Sequence, residues 1–160
     1  MRRIFTIATA LLVGLAACGD DPADPNGGNG NGNGGPPNGT MTAQIDGQSW
    51  SAISIIATYD GELLVIGGAD ANVTGIGIGS QGVDGPGTYV IGTVIGANGS
   101  VTQDGTMIWF AGIGVGSGSI TVSSISAVGA VGTFAFVAEP SMGGATGTRV
   151  VTNGTFNVTF

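Results

Sequence analysis

Between Met41 and Phe160, apolar side chains recur at every second position. Ile76 and Ile78 flank Gly77, Ile113 and Val115 flank Gly114, and Ile120 and Val122 flank Thr121. Phe134 and Phe136 flank Ala135, and Phe156, Val158 and Phe160 alternate to the final residue. A period of two carried by β-branched and aromatic residues marks strands with one buried and one exposed face. No segment carries apolar residues at helical spacing. Asx-Gly dipeptides punctuate the pattern at Asp46-Gly47, Asp60-Gly61, Asp84-Gly85, Asn98-Gly99, Asp104-Gly105 and Asn153-Gly154, and such pairs supply the positive φ of tight hairpin turns. The pattern predicts strands over 41–46, 48–52, 54–59, 62–67, 73–79, 88–97, 106–113, 118–126, 130–138 and 148–160. Asn153-Gly154 fits equally well as a bulge inside one long final strand. Ten strands with short connections have to face one another in two layers or close on themselves. The expected fold is therefore all-β, a single antiparallel β-sandwich or flattened β-barrel of about ten strands.

The alternation stops upstream of Met41. Arg2 and Arg3 precede an apolar or small-residue run from Ile4 to Gly14, closed by Leu15-Ala16-Ala17-Cys18. This is the layout of a secretory signal peptide, with an end of the lipobox form, in which the cysteine thiol accepts a diacylglycerol. The run is short for a bilayer span. Residues 1–17 are thus expected to be a lipoprotein signal peptide and Cys18, the only cysteine of the chain, the lipidated residue. From Asn26 to Gly39 every residue is Asn, Gly or Pro, a composition unable to bury apolar surface. Residues 18–40 read as the lipidated Cys and a disordered Gly/Asn/Pro linker, reaching on the order of 25 Å as a flexible coil. Residues 41–160 form the all-β domain.

Processing changes the charge picture. Two of the three basic residues are Arg2 and Arg3, so Arg149 alone faces ten carboxylates and the mature chain carries −9. Replacing the counterions of a nucleic acid needs Lys and Arg that are absent, so no nucleic-acid partner is expected. Attraction to anionic lipid fails for the same reason. Membrane attachment would come from the acyl chains on Cys18, at roughly 0.8 kcal/mol per buried methylene.

The chain contains no His and no Lys. With Cys18 taken by lipid, this removes Ser-His-Asp and Cys-His nucleophiles, Schiff-base lysines and His- or thiolate-built zinc sites. Asp60 and Glu62 are the nearest approach to the carboxylate pair of a glycosidase. However, four of the seven domain acids directly precede glycine, and turn geometry accounts for them. Asp70, Asn72 and Asp84 offer oxygens of the kind calcium takes, but not the dense ligand run of a calcium loop. Neither metal nor cofactor is expected, and no catalytic residue. Gly112 to Gly118 lacks the lysine and following helix of a phosphate loop. Trp50 and Trp109 could stack on a sugar or an apolar partner; in a domain with so few aromatics, core packing is the favoured reading.

Ile45-Asp46-Gly47-Gln48-Ser49-Trp50 is similar to the opening hairpin of small bacterial envelope lipoprotein domains, a family of unknown function. Gly87-Thr88-Tyr89, Gly118-Ser119-Ile120-Thr121-Val122, Gly132-Thr133-Phe134-Ala135-Phe136 and Val151-Thr152-Asn153-Gly154-Thr155-Phe156 resemble its later landmarks. The resemblance covers 41–160 and implies a tethered all-β domain. It implies no activity and no catalytic residues.

These readings converge on an envelope lipoprotein, not an enzyme, held to a membrane (the outer membrane favoured) through Cys18, with its domain outside the cytoplasm. The domain is expected to be a non-catalytic binding or interaction module for an envelope glycan or protein. A structural, self-assembling protein is the alternative, since strands this poor in charge can pair between chains. A small outer-membrane barrel is a third reading, suggested by Phe156-x-Val158-x-Phe160. It is weakened by the shortness of the domain and the lack of aromatic girdles.

Overall fold

The computed structural model describes residues 38–93 and 96–160. The expected signal peptide, Cys18 and most of the linker lie outside them. Eleven strands run in the order β1 (Gly39–Ile45), β2 (Gln48–Ser51), β3 (Ser54–Tyr59), β4 (Leu64–Ala69), β5 (Gly75–Ser80), β6 (Gly87–Ile91), β7 (Ala97–Gln103), β8 (Met107–Ala111), β9 (Ser117–Ser126), β10 (Gly129–Met142) and β11 (Arg149–Thr159). No helix occurs among the described residues. The strands belong to one mixed sheet of order β2-β1-β11-β10-β9-β6-β7-β5-β4-β3, with β8 bridging β10 and β7. The all-β expectation holds, and the arrangement is consistent with a sandwich or flattened barrel of about ten strands.

Alternation explains the core. On β10, Ala130, Phe134, Phe136 and Ala138 are buried while Val131, Thr133 and Ala135 are exposed. The inward set joins Trp50, Ile66, Ile76, Ile78, Trp109, Ile120, Val151 and Phe156 in one cluster. The two ends of the sheet meet across it, for a Cβ on Gly68 of β4 would lie 3.0 Å from both Met41 Sδ and Trp50 Cη2. With no disulfide possible inside one chain, this buried apolar surface carries the stability.

Four expectations are corrected. The strand predicted over 88–97 ends at Ile91, because Gly92 adopts a φ of 102° that breaks the extended run. A separate strand, β7, then begins at Ala97. Asn98-Gly99 is not a turn but sits inside β7, paired with Gly79 and Ile78. Gly99 is needed there for contact, since a Cβ would lie 2.8 Å from Phe136 Cδ1. The sheet is also not wholly antiparallel, as β6 meets β7 in a single parallel pairing, Ile91 with Ala97. In addition, Gly39 and Thr40, read as the end of the linker, pair with Val158 and Asn157.

Other signals are realised as read. Asp46 (φ 51°) and Gly47 (φ 80°) make the two-residue turn between β1 and β2, with both residues in the positive-φ geometry that matches strand twist. Asn153-Gly154 takes the bulge reading. Phe134 pairs with Gly154 and Phe136 with Val151, so two residues of β11 oppose Ala135 alone. The extra residue shifts the phase of β11, so that Val151 on one side and Gly154, Phe156 and Val158 on the other all face the core. Asn153 bears the strain at φ 52°, a conformation Asn tolerates better than most residues.

Candidate functional site

The outward face of β2, β1, β11, β10, β9 and β6 carries a row of hydroxyls. Ser51 pairs with Thr42, Thr42 with Thr155, Thr155 with Thr133, Thr133 with Thr121, and Thr121 with Thr88. Six adjacent strands thus present one hydroxyl each, in register, over roughly 24 Å at ordinary strand spacing. Threonine suits such positions, because its branched side chain packs on the pleat and its hydroxyl can bond to the next strand. Two such bonds form, Thr42 Oγ1 with Thr155 Oγ1 at 2.9 Å and Thr88 Oγ1 with Thr121 Oγ1 at 3.0 Å. Thr133 stands between these pairs, exposed, with its hydroxyl not engaged by another described residue.

A shallow depression of about 420 Å³ opens at the centre of this row. Its sides are Ser119 and Thr121 of β9, Thr133 of β10, and Asn153 and Thr155 of β11; Ala135, Phe134 and Gly154 complete the lining. The hollow follows from the bulge. Ala135 has only a methyl group to set against the two residues facing it, and Gly154 has no side chain. Gly154 is required by the layer below, since a Cβ there would meet Phe134 O at 2.4 Å and ring carbon Cδ2 at 2.5 Å. The bulge also turns Asn153 outward, where its Nδ2 donates to Gln44 Oε1 at 2.9 Å. Thr152 Oγ1 donates to the same oxygen at 3.5 Å. The Asn153 amide is therefore held with its own carbonyl oxygen available to a ligand. No charged side chain lines the depression.

The sequence-predicted candidates lie elsewhere, and the two whose carboxylates are engaged, Asp60 and Asp70, close turns. Asp60 Oδ1 accepts the backbone N–H groups of Glu62 at 3.0 Å and Leu63 at 2.7 Å, closing the β3–β4 turn. The Leu63 and Glu62 amides hold the Asp60 carboxyl below its usual range, the opposite of what a general acid requires. Asp70 Oδ1 likewise accepts from the Asn72 and Thr74 amides, each at 2.9 Å, closing the β4–β5 turn. Asp84 lies in the β5–β6 loop beside Tyr89, whose hydroxyl donates to Gly85 O at 2.7 Å. Burial, and then the Asp84 charge, push the Tyr89 hydroxyl up from its usual value. Among the described residues no three His, Cys, Asp or Glu side chains gather where they could hold a metal.

Both tryptophans are core residues. Trp50 and Trp109 are 5% and 1% exposed, so neither offers a ring face to a ligand. Trp50 Nε1 donates to Thr74 O at 3.0 Å and Trp109 Nε1 to Gly147 O at 2.9 Å, which satisfies the polar edge each carries inward. Arg149 is committed as well. Its guanidinium lies 4.3 Å over the Trp109 ring, donates to Asp46 Oδ2 at 2.9 Å and donates to Gln103 Oε1 at 2.9 Å. Asp46 Oδ1 in turn accepts the Val150 amide at 2.8 Å. This cluster ties the β1–β2 turn to β7, β8 and β11, and commits a donor from each terminal nitrogen of Arg149 to partners within the domain.

Sequence reading missed the hydroxyl row because attention to reactive groups passes over Thr and Ser. The signal was present in the outward partners of the apolar alternation, such as Thr121 between Ile120 and Val122. Residues 37–158 match the model of a family described as Domain of unknown function (DUF6252). No curated protein and no solved structure matches the chain.

Proposed function

The chain belongs to the family described as Domain of unknown function (DUF6252), and from that premise we propose that it is a lipid-anchored envelope protein whose β-domain binds without catalysing. The depression on the hydroxyl face carries this reading. It is lined by hydroxyls, an amide and small apolar groups, with no nucleophile–base pair and no titratable side chain. Such a surface can hold a ligand by hydrogen bonds but has no group to move a proton or attack a bond. The envelope location rests on Arg2, Arg3, the apolar run and Leu15-Ala16-Ala17-Cys18.

The other readings find less support. Edge pairing between copies is hindered, because β2 has only four residues and Ile55 O of β3 already accepts from Asn38 Nδ2 at 3.0 Å. A lipid-facing barrel would carry its apolar residues outward, whereas here the outward row is hydroxyl-bearing. Fractionation tests the anchor: Cys18→Ser is expected to move the protein from the membrane to the soluble fraction and abolish fatty-acid labelling. Absence of lipid label on the unsubstituted protein would refute the location. Turnover of an ester, peptide or glycoside that survives purification would refute the non-catalytic reading.

A further inference from the structure

Resting on the binding-module reading, we propose that the hydroxyl row is a platform for a neutral linear polysaccharide laid across the strands from Ser51 to Thr88. Charge decides the class first. A chain this acidic repels polyanions. Of its domain carboxylates, Asp46, Asp60, Glu62, Asp70, Asp84 and Asp104 sit in turns and loops between strands, and Glu139 lies on β10 six residues beyond Thr133, so no carboxylate lines the depression or stands in the hydroxyl row.

The remaining chemistry is that of hydroxyls and amides, each able to donate and accept. A neutral glycan offers the same duality from every ring, so a repeating row of hydroxyls meets a repeating polymer. An extended peptide would instead seek a free strand edge, and this face is the interior of a paired sheet. The row is also prepared to bind. Threonine is stiff at χ1, the Thr42–Thr155 and Thr88–Thr121 hydroxyl bonds fix the flanks, and Gln44 fixes Asn153. Side chains already ordered lose less entropy on association. Between the flanks, Thr133 and the hollow over Ala135 leave room for a ring to settle. Because Trp50 and Trp109 are inside, recognition proceeds through hydrogen bonds without aromatic stacking.

The test uses full-length protein in detergent, incubated with insoluble β-1,4-glucan, β-1,3-glucan and chitin, and with an acidic polyuronate as the contrasting polymer. Depletion onto at least one neutral polymer is expected, unchanged in 1 M salt and without a shift of tryptophan emission. The triple variant Thr121→Val, Thr133→Val, Thr155→Val keeps side-chain shape and removes three hydroxyls. It should bind at least tenfold more weakly, with an unaltered circular dichroism spectrum and melting curve. Thr58→Val, exposed on β3 and off the row, should bind as the unsubstituted protein does. If the triple variant fails to fold, Thr133→Val alone, with a threefold or greater loss expected, decides the matter. No depletion on any neutral polymer, depletion on the polyuronate alone, or depletion unaffected by the substitutions overturns the polysaccharide assignment. Hydroxyl-dependent binding of a purified envelope protein in place of every polymer would also overturn it, while leaving the binding-module reading standing. Turnover of a polymer would overturn both.

Discussion

Gly99→Ala is a stringent test of how the core was read, because it adds one methyl group at a defined place. The new Cβ would lie 2.8–2.9 Å from Cδ1, Cε1 and Cγ of Phe136, well inside van der Waals contact. Phe136 has little freedom to yield, being 2% exposed and stacked on Phe134 at a ring-centroid distance of 6.3 Å. Overpacking of this kind costs about 1–3 kcal/mol. Against it stands the gain from removing a glycine from the unfolded chain, about 0.4–1 kcal/mol. The expected net effect is a loss of up to about 2.6 kcal/mol, centred on about 1 kcal/mol, read as a lower denaturation midpoint at unchanged m-value. Gly67→Ala is the matched control: Gly67 also lies mid-strand, yet nothing stands within 4 Å of its Cβ position, so the entropic gain should appear alone as a rise in stability. In a double-mutant cycle, Phe136→Leu should recover at least about 0.5 kcal/mol of the Gly99→Ala loss. Equal effects of the two alanines, or no coupling to Phe136, would refute the claim that ring contact is what requires Gly99.

Trp109→Ala should destabilise by about 3–5 kcal/mol as a buried aromatic, measured by urea denaturation; a loss under about 1 kcal/mol would return the ring to the list of ligand contacts. Asp60 should titrate below 3.8 in a carboxyl-detected NMR experiment. Because its folded-state value is depressed, its contribution to stability is present above the unfolded value and lost as pH falls through the folded one. Asp60→Asn should therefore flatten the acid limb of the stability curve, and an unchanged acid limb would count against the turn bonds. Chelator should leave the melting temperature of the described domain unmoved; a large drop would reinstate Asp70, Asn72 and Asp84 as calcium ligands. Reductant should have no effect, since the chain's single cysteine cannot form an internal disulfide.

Most of the fold was legible because alternation and turn chemistry are local. Ile120-Thr121-Val122 declares one inward and one outward face, and Asp46-Gly47 declares its hairpin, without reference to anything distant. What was lost depends on neighbours far along the chain. Asn98-Gly99 reads as a turn until Phe136, a strand away, explains why a glycine is needed within β7. Gly92 likewise ends a strand that its apolar flanks, Ile91 and Val94, would have continued. The hydroxyl row was hidden for a related reason. Thr42, Thr88, Thr121, Thr133 and Thr155 are ordinary strand residues singly, and only the register of four pairings aligns them. The bulge lies between these cases, visible as an Asx-Gly pair but distinguishable from a hairpin only once Val151 and Gly154 are both seen to be buried.

The pairing of the first strand with the last has a consequence in time. Thr42 and Thr155, bonded across β1 and β11, are 113 residues apart in sequence, and β1 is enclosed between β2 and β11. The N-terminal hairpin cannot take its place in the sheet until Arg149–Thr159 has been synthesised. Assembly that waits for such distant partners is slow, because the loop-closure entropy must be met before the contacts that reward it can form. Until β11 is available, β1 has only β2 beside it and the sheet stays unfinished. Strand order thus acts as a delay, holding the first hairpin without its partner until the last strand is available to receive it.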